Sequence, residues 1–289
     1  LLLALLLLPG LAAAQPAEWR DFARRYLAAD GRVIDTGNAG ISHSEGQGYA
    51  MLFAVEYDDR PAFERMWAWT RTTLARPNDA LFAWRFVPNA GLAVRDMNNA
   101  TDGEIFIAWA LARAAERWNA PEHLESARRI ARDVLACCIV AVGGRTVMLP
   151  GAAGFRRPEG VVINLSYYNF AALRALARVA PSPRWAALER DGLAMIADAT
   201  FGGWRLPPDW LLVPADGGRV GIATGWPPRF AWDAVRVPLN IAWMRGEAGD
   251  AAHYLAWWGD RRHRMPPPAW ADLRTNQVSP YRGHAGVEA

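Results

Sequence analysis

The stretch SHSEGQGYAM, residues 42–51, places one acid and two glycines in the first turns of an apolar helix. An S-x-x-E capping box fits Glu45, and the next serine fits a second box with Gln47. Capping does not explain Gly46 and Gly48, because each glycine costs a helix about 1 kcal/mol relative to alanine. Glycines at these positions indicate that a ligand or another backbone approaches the helix closely.

Segments with apolar residues at helical spacing recur along the chain. They span 18–29, 45–57, 60–75, 100–118, 121–138, 166–179, 184–199, 232–245 and 249–262. Strand-like alternation is almost absent, so we expect an all-α protein. The long connections, which are rich in Gly, Pro and Trp, are 76–98, 143–163 and 202–231. Other connections are short, so in an antiparallel array the long loops, which usually carry function, gather at one end.

Helices that alternate in direction present every second N-terminus at the long-loop end. The predicted starts there are Glu45, Asp102, Tyr167 and Asp233. Three carboxyl groups and a tyrosine would therefore converge. Cleavage of a glycosidic bond needs two carboxyls in unequal environments, one protonated for the leaving oxygen and one ionised to activate water. Taken singly, each acid also fits a helix cap or a dipole partner, and Glu104 in particular fits a capping box.

Composition argues against several other functions. The formal net charge is +3, the 32 basic residues are all arginine, and they are scattered among acids. No run resembles a nucleic-acid patch, so no nucleic-acid partner is expected. The five histidines are dispersed and the two cysteines, Cys137 and Cys138, are adjacent. We therefore predict neither a metal site nor a disulfide, and we expect two buried thiols on a helix.

The N-terminal run LLLALLLLPGLAAA, residues 1–14, has the length and the small-residue end of a signal peptide. It is too short to span a membrane. We expect residues 1–14 to be part of a signal peptide and residues 15–289 to form the catalytic domain, periplasmic or secreted and without stable membrane insertion. The alternative is a buried apolar N-terminal helix.

Several ordered blocks between residues 18 and 284 resemble glycoside hydrolase family 8. SEGQGYAM is similar to the block around that family's general acid, which implies this role for Glu45. NNATDGEIFIAWAL resembles the block whose Asp contacts the sugar at the cleavage point, here Asp102. NLSYYNF implies that Tyr167 is the active-site tyrosine. WDAVRVPLN resembles the general-base block, which implies that Asp233 is the base and that Arg236 supports it.

The resemblance implies an (α/α)6 barrel with a cleft across one end, and endo-acting, inverting hydrolysis of β-1,4-glucan. Trp84, in FAWRF, stands where the family has a sugar-stacking tryptophan, and Trp226 and Trp232 are further stacking candidates. Six helical hairpins need twelve helices, whereas nine segments are predicted. We therefore expect the C-terminal helices of the barrel to be missing from residues 1–289.

The glycan is the most open part of this interpretation. Exported relatives of this size most resemble endoglucanases that accompany bacterial cellulose synthesis, so we expect a monomer and consider association with a cellulose synthesis or export complex. Other relatives cleave chitosan, mixed-linkage glucan or xylan. A non-catalytic glycan-binding fragment and a polysaccharide lyase on an α/α barrel are alternatives from other classes. The hydrolase needs no metal or organic cofactor, because side chains perform both proton transfers.

Overall fold

The computed structural model describes residues 15–244, 254, 257–260 and 267–282. Eight α-helices lie in this part of the chain, and each coincides with a predicted segment to within four residues at either end. They are α1 (Ala17–Tyr26), α2 (Ser44–Glu56), α3 (Arg60–Thr73), α4 (Thr101–Trp118), α5 (Pro121–Cys137), α6 (Phe170–Val179), α7 (Pro183–Asp198) and α8 (Arg236–Ala242). The predicted signal peptide and most of the ninth predicted segment, 249–262, lie outside the described residues.

Short antiparallel strands that the sequence did not predict lie in the segments outside the helices. They are β1 (Ser42–His43), β2 (Arg85–Phe86), β3 (Ile139–Val142), β4 (Arg145–Met148), β5 (Arg156–Arg157), β6 (Gly160–Ile163), β7 (Leu211–Pro214), β8 (Gly221–Ile222), β9 (Arg229–Phe230) and β10 (Ala271–Asp272). Strands β5, β6, β7 and β8 form one sheet in that order, and the others pair as β1–β2, β3–β4 and β9–β10. Strands of two to four residues are too short for alternation to reveal them.

Helix α4 lies at the centre of the helical array and packs against α2, α5 and α6. Its middle consists of apolar residues that are fully buried, because neighbouring helices cover it on several sides. A helix that is apolar around most of its surface is typical of such an interior position. Among the described helices, none is both long and apolar enough to cross a membrane.

The two cysteines lie where α5 ends. Cys137 is the last residue of α5 and is half-buried, whereas Cys138 follows the helix and is fully buried. Both thiols are free, and burial raises the pKa of Cys138 to about 11. A thiol that stays protonated at neutral pH is a poor nucleophile, so these residues are structural.

The approach of α2 to α4 depends on two glycines. A Cβ atom added to Gly48 would lie 2.6 Å from Phe106 Cβ and 2.9 Å from the backbone nitrogen of Ile107. A Cβ atom added to Gly103 would lie 2.8 Å from the backbone nitrogen of Glu45. Real Cβ atoms do not approach other atoms so closely, so only glycine allows the two backbones this separation.

We expect Gly48→Ala to lower the free energy of unfolding by about 1–3 kcal/mol, because the methyl group overpacks the contact with α4. Gly46→Ala is the matched control in the same helix, since its added Cβ would lie 3.9 Å from Val33 Cγ1. That change should leave stability unaltered or raise it by up to about 1 kcal/mol through helix propensity. Chemical denaturation of both variants measures the difference, and equal effects would contradict the packing account.

Candidate active site

Glu45 is the second residue of α2. At this position the positive end of the helix dipole stabilises a negatively charged side chain. His43 is the N-cap residue, and no side chain caps the helix. Both capping boxes considered for the opening stretch are therefore wrong. Gln47 instead accepts a hydrogen bond from the Val33 N–H at 2.6 Å, and the Glu45 carboxylate receives one from Arg236. Tertiary partners thus replace the local ones.

Arg236, the first residue of α8, links the two predicted proton-transfer residues. Its Nη1 donates to Glu45 Oε1, while Nη2 donates to Asp233 Oδ1 at 2.8 Å and to Ser166 Oγ at 3.1 Å. The side chains of Glu45 and Asp233 are each 27% exposed, so both remain accessible. Because one planar guanidinium touches both carboxylates, their nearest oxygens lie within about 7 Å of each other.

Asp102 is the second residue of α4 and is only 3% exposed. Its Oδ1 accepts a hydrogen bond from the Gly103 N–H at 2.8 Å. Burial raises the pKa of Asp102 well above its ordinary value, and the charge of Glu45 raises it further, while Arg236 and the Gly103 N–H oppose the shift. Asp102 therefore favours its protonated form.

Asp233 and Tyr167 lie in the same electrostatic environment. Burial raises the pKa of Asp233, as does Glu45, while Arg236 opposes the shift. Burial also raises the pKa of the Tyr167 phenol, and the charges of Asp102, Asp233 and Glu45 add to the effect. The structure thus brings together all four side chains that the helix-direction argument placed at one end of the array.

Two of those four residues do not begin a helix. Tyr167 lies in a 3-10 turn, Leu165–Tyr167, and α6 starts only at Phe170. Asp233 lies in a turn that precedes α8. The prediction that all four side chains stand at helix starts is therefore wrong for these two residues. Both nevertheless lie at the predicted end of the helical array.

Glu104 was expected to cap α4, and the structure contradicts this. No side chain caps the helix, and the Glu104 side chain is fully buried with Oε1 accepting from the Phe82 N–H at 2.7 Å. Burial raises its pKa well above the ordinary value. Glu104 therefore fastens α4 to the connection that carries Trp84, two residues beyond Phe82.

Sequence reasoning missed a buried polar network beneath Arg236. Asn240 Nδ2 donates to the Ser166 carbonyl at 2.8 Å, and Asn169 Nδ2 donates to Asn240 Oδ1 at 3.1 Å. All three side chains are buried. Asn240 lies one helical turn after Arg236, so the network orients the face of α8 that carries the guanidinium. Polar residues inside an apolar segment were the available signal.

Trp84 lies beside the start of α2. Its carbonyl accepts from the Ser44 N–H at 3.1 Å, and its Nε1 donates to Asp96 Oδ2 at 2.8 Å. The His43 ring is nearly parallel to it, with centroids 6.2 Å apart, and the Arg85 guanidinium lies 4.4 Å from the Trp84 ring centroid. This tryptophan is therefore held rigidly next to the helix that carries the predicted acid.

The other two predicted stacking residues differ from each other. The Trp226 ring packs on Trp210 with centroids 5.2 Å apart, and the Arg157 guanidinium lies 4.9 Å from its centroid. Trp226 therefore belongs to an aromatic stack on the four-stranded sheet. Trp232 immediately precedes Asp233 and is 58% exposed. Trp232 is therefore more accessible to a ligand than Trp226, which is half-buried.

A cavity of about 590 Å³ borders Glu45, Gly46 and Arg236. Its other lining residues include the aromatic side chains of Tyr49 and Phe53. The cavity thus reaches the predicted acid. Within the described ranges, no group of three or more His, Cys, Asp or Glu side chains is arranged to hold a metal ion.

Comparisons with known proteins define the class to which this fold and site belong. The family model for glycosyl hydrolases family 8 matches residues 2–289. A probable endoglucanase of Novacetimonas hansenii is 44% identical over 94% of this chain and 80% of its own length. An endoglucanase of Cellulomonas uda is 41% identical over 99% of this chain and 79% of its own length.

Solved structures agree with the sequence comparisons. The endo-β-1,4-glucanase CMCax from Acetobacter xylinum superposes with a TM-score of 0.88 at 43% identity, covering 93% of this chain and 85% of that one. The chain therefore belongs to glycoside hydrolase family 8, and its helices form the (α/α)6 barrel fold of that family. The resemblance carried by the sequence blocks is confirmed.

We expect Asp102→Asn to gain stability relative to the wild type as the pH rises. The folded-state pKa of Asp102 lies above its ordinary value of 3.8, so its favourable contribution is complete below that value and is lost at higher pH. The midpoint of thermal unfolding, measured for both proteins at pH 4 and pH 8, tests this. Asp96→Asn is the control that should change little between these two pH values, because hydrogen bonds lower the pKa of Asp96 and its titration lies below pH 4. A pH-independent difference for Asp102→Asn would contradict the burial account.

Proposed function

We propose that this family 8 hydrolase is an endo-β-1,4-glucanase that cleaves its substrate with inversion. The observation that carries the proposal is the single Arg236 guanidinium in contact with both Glu45 and Asp233, beside the buried Asp102. The names of the Novacetimonas and Cellulomonas relatives and the activity named for the Acetobacter structure support the choice of a β-1,4-glucan.

Glu45 serves as the general acid. It donates the proton of its own carboxyl group, and the exposed fraction of that group allows a glycosidic oxygen to reach it. As the bond from the anomeric carbon to that oxygen breaks, the proton moves to the leaving sugar. Desolvation near Tyr49 and Tyr167 strengthens this transfer, because opposite partial charges interact more strongly away from water.

Asp233 serves as the general base. Its carboxylate accepts a proton from a water molecule on the opposite face of the sugar, and the water oxygen bonds to the anomeric carbon. Arg236 stabilises the negative charge on Asp233 before the transfer. The water adds while the leaving sugar departs from the other face, so the configuration at the anomeric carbon inverts. Solvent then restores the proton to Glu45 and removes one from Asp233.

The glucan is held by the remaining predicted residues. Asp102 and Tyr167 border the two reacting carboxyls and contact the sugar at the cleavage point. Trp84, Trp232 and Trp226 stack on sugar rings, and the exposed ring of Trp232 next to Asp233 offers the clearest surface.

We propose further that the protein is exported and acts in the periplasm or outside the cell as a monomer. Residues 1–14 would be part of its signal peptide, and residues 15–289 would form the catalytic domain. The apolar run with its small-residue end supports this. Association with a cellulose synthesis complex is part of the same proposal.

We expect Glu45→Gln and Asp233→Asn to reduce the release of reducing sugar from carboxymethylcellulose by at least about 10²-fold, because each removes a proton-transfer group. Glu125→Gln is a matched control, since Glu125 pairs with Arg128 on the exposed surface of α5. The measurement is made on folded variants with unfolding midpoints near that of the wild type. Wild-type activity in both site variants would refute the assigned roles.

Binding, absorbance and turnover measurements on the wild-type protein separate the alternative functions. A non-catalytic glycan-binding protein would bind carboxymethylcellulose and release no sugar. A lyase would generate the absorbance of a new carbon–carbon double bond, which hydrolysis does not. Higher turnover on chitosan, mixed-linkage glucan or xylan than on carboxymethylcellulose would reassign the substrate within the family.

We expect the first product released from cellohexaose to carry the α configuration at its new reducing end. Inverting enzymes keep their two carboxyls about 6.5–9.5 Å apart, whereas retaining enzymes hold them about 5–5.5 Å apart. Proton NMR spectra recorded in the first minutes distinguish the anomers before mutarotation mixes them. A β product at the earliest times would exclude Asp233 as an inverting base.

A further inference from the structure

Asp209 lies under the turn that carries Asp233, although no motif of the sequence singled it out. It follows two buried prolines and precedes β7. Its Oδ1 accepts hydrogen bonds from the Ala231 N–H at 3.0 Å and from the Ala234 N–H at 2.8 Å. Its own N–H donates to the Arg229 carbonyl at 2.8 Å, so the Asp209 backbone is anchored to β9.

The turn that carries Asp233 needs an acceptor from elsewhere in the chain. The Val235 N–H donates to the Ala231 carbonyl at 3.1 Å, and the Arg236 N–H donates to the Asp233 carbonyl at 3.0 Å. These bonds leave the first N–H groups of the turn without a partner inside it, as at any helix start. A side chain 22 residues earlier in the sequence supplies the acceptor for Ala231.

We propose that Asp209 is a positioning residue, which holds the turn that places the Asp233 carboxylate against the reacting water. The inference rests on the proposed role of Asp233 as general base. Arg236 follows directly after the same turn, so a displaced turn would move both the base and the guanidinium that contacts Glu45. A misplacement of about 1 Å in an active site can cost about 10²-fold in rate.

Charge also acts on Asp209 itself. Burial and the Asp233 carboxylate raise the pKa of Asp209 to about 7. The other charged groups that face Asp233 are Arg236, which stabilises its ionised form, and Glu45, which opposes it. Asp209 is therefore largely neutral in acidic solution, where Asp209→Asn preserves both its lack of charge and an oxygen acceptor.

The test compares Asp209→Ala with Asp209→Asn. We expect Asp209→Ala to lower kcat by about 10²-fold and to change KM much less, because the base and Trp232 move with the turn whereas Trp84, Asp102 and Tyr167 lie on other elements. Asp209→Asn keeps an oxygen acceptor and matches the neutral form of Asp209 in acidic solution, so it should restore most of kcat and leave the acidic limb of the kcat/KM profile in place. Asp216→Ala is the matched control, since Asp216 accepts from the Gly218 N–H at 2.9 Å in an exposed hairpin turn.

Amide hydrogen exchange provides a readout that does not depend on activity. Faster exchange at Ala231 and Ala234 in Asp209→Ala, reversed in Asp209→Asn, supports the proposal. Unchanged kcat in Asp209→Ala overturns it, and so does an equal loss of kcat in both variants. An active Asp233→Asn enzyme would overturn the proposed base itself, and amide exchange would then still decide whether Asp209 holds the turn.

Discussion

The close contact between α2 and α4 is the constraint on which the site depends. Gly48 of α2 faces Phe106, and Gly103 of α4 faces the backbone of Glu45, at separations that no larger residue permits. The first turns of the two helices therefore lie side by side, which brings Glu45 to Asp102. A glycine that weakens an isolated helix thus strengthens this pair of helices, because close packing of the two backbones outweighs the lower helix propensity.

This proximity places three carboxyl groups close together, where their negative charges would repel one another. Glu45, Asp102 and Asp233 share one guanidinium, that of Arg236, which contacts the two more exposed carboxylates. Burial opposes the charge of Arg236, but the surrounding carboxylates raise its pKa, so it stays protonated. Asp102 is more buried than the two carboxylates that contact Arg236, and its raised pKa favours the protonated form. A neutral Asp102 lowers the negative charge gathered around the guanidinium.

The sequence predicted the helices and the convergence of the site, because both follow from apolar spacing and from the alternation of helix direction. It did not predict the partners of individual side chains. Glu104 has the spacing of a cap, yet it bonds to the N–H of Phe82, 22 residues earlier. Asp209 has no pattern at all, since its partners belong to a turn that begins 22 residues later. Local spacing determines residue type and helix face, whereas a buried acceptor pairs with whichever backbone group the tertiary fold leaves without a partner.

The two residues proposed to transfer protons have equal exposure, but the elements that carry them are held in different ways. Glu45 stands on a helix whose position is fixed by backbone contact with α4. Asp233 stands on a turn that cannot satisfy its own first N–H groups, so its position depends on an acceptor from a distant loop. An inverting reaction needs a separation between the two carboxyl groups that leaves room for one water molecule. Movement of either carboxyl changes this separation, so it depends most on the residue that is held less firmly. Under the proposed mechanism, the geometry that decides the stereochemical outcome therefore depends on the loop before β7, at a distance in sequence from every motif that identifies the family.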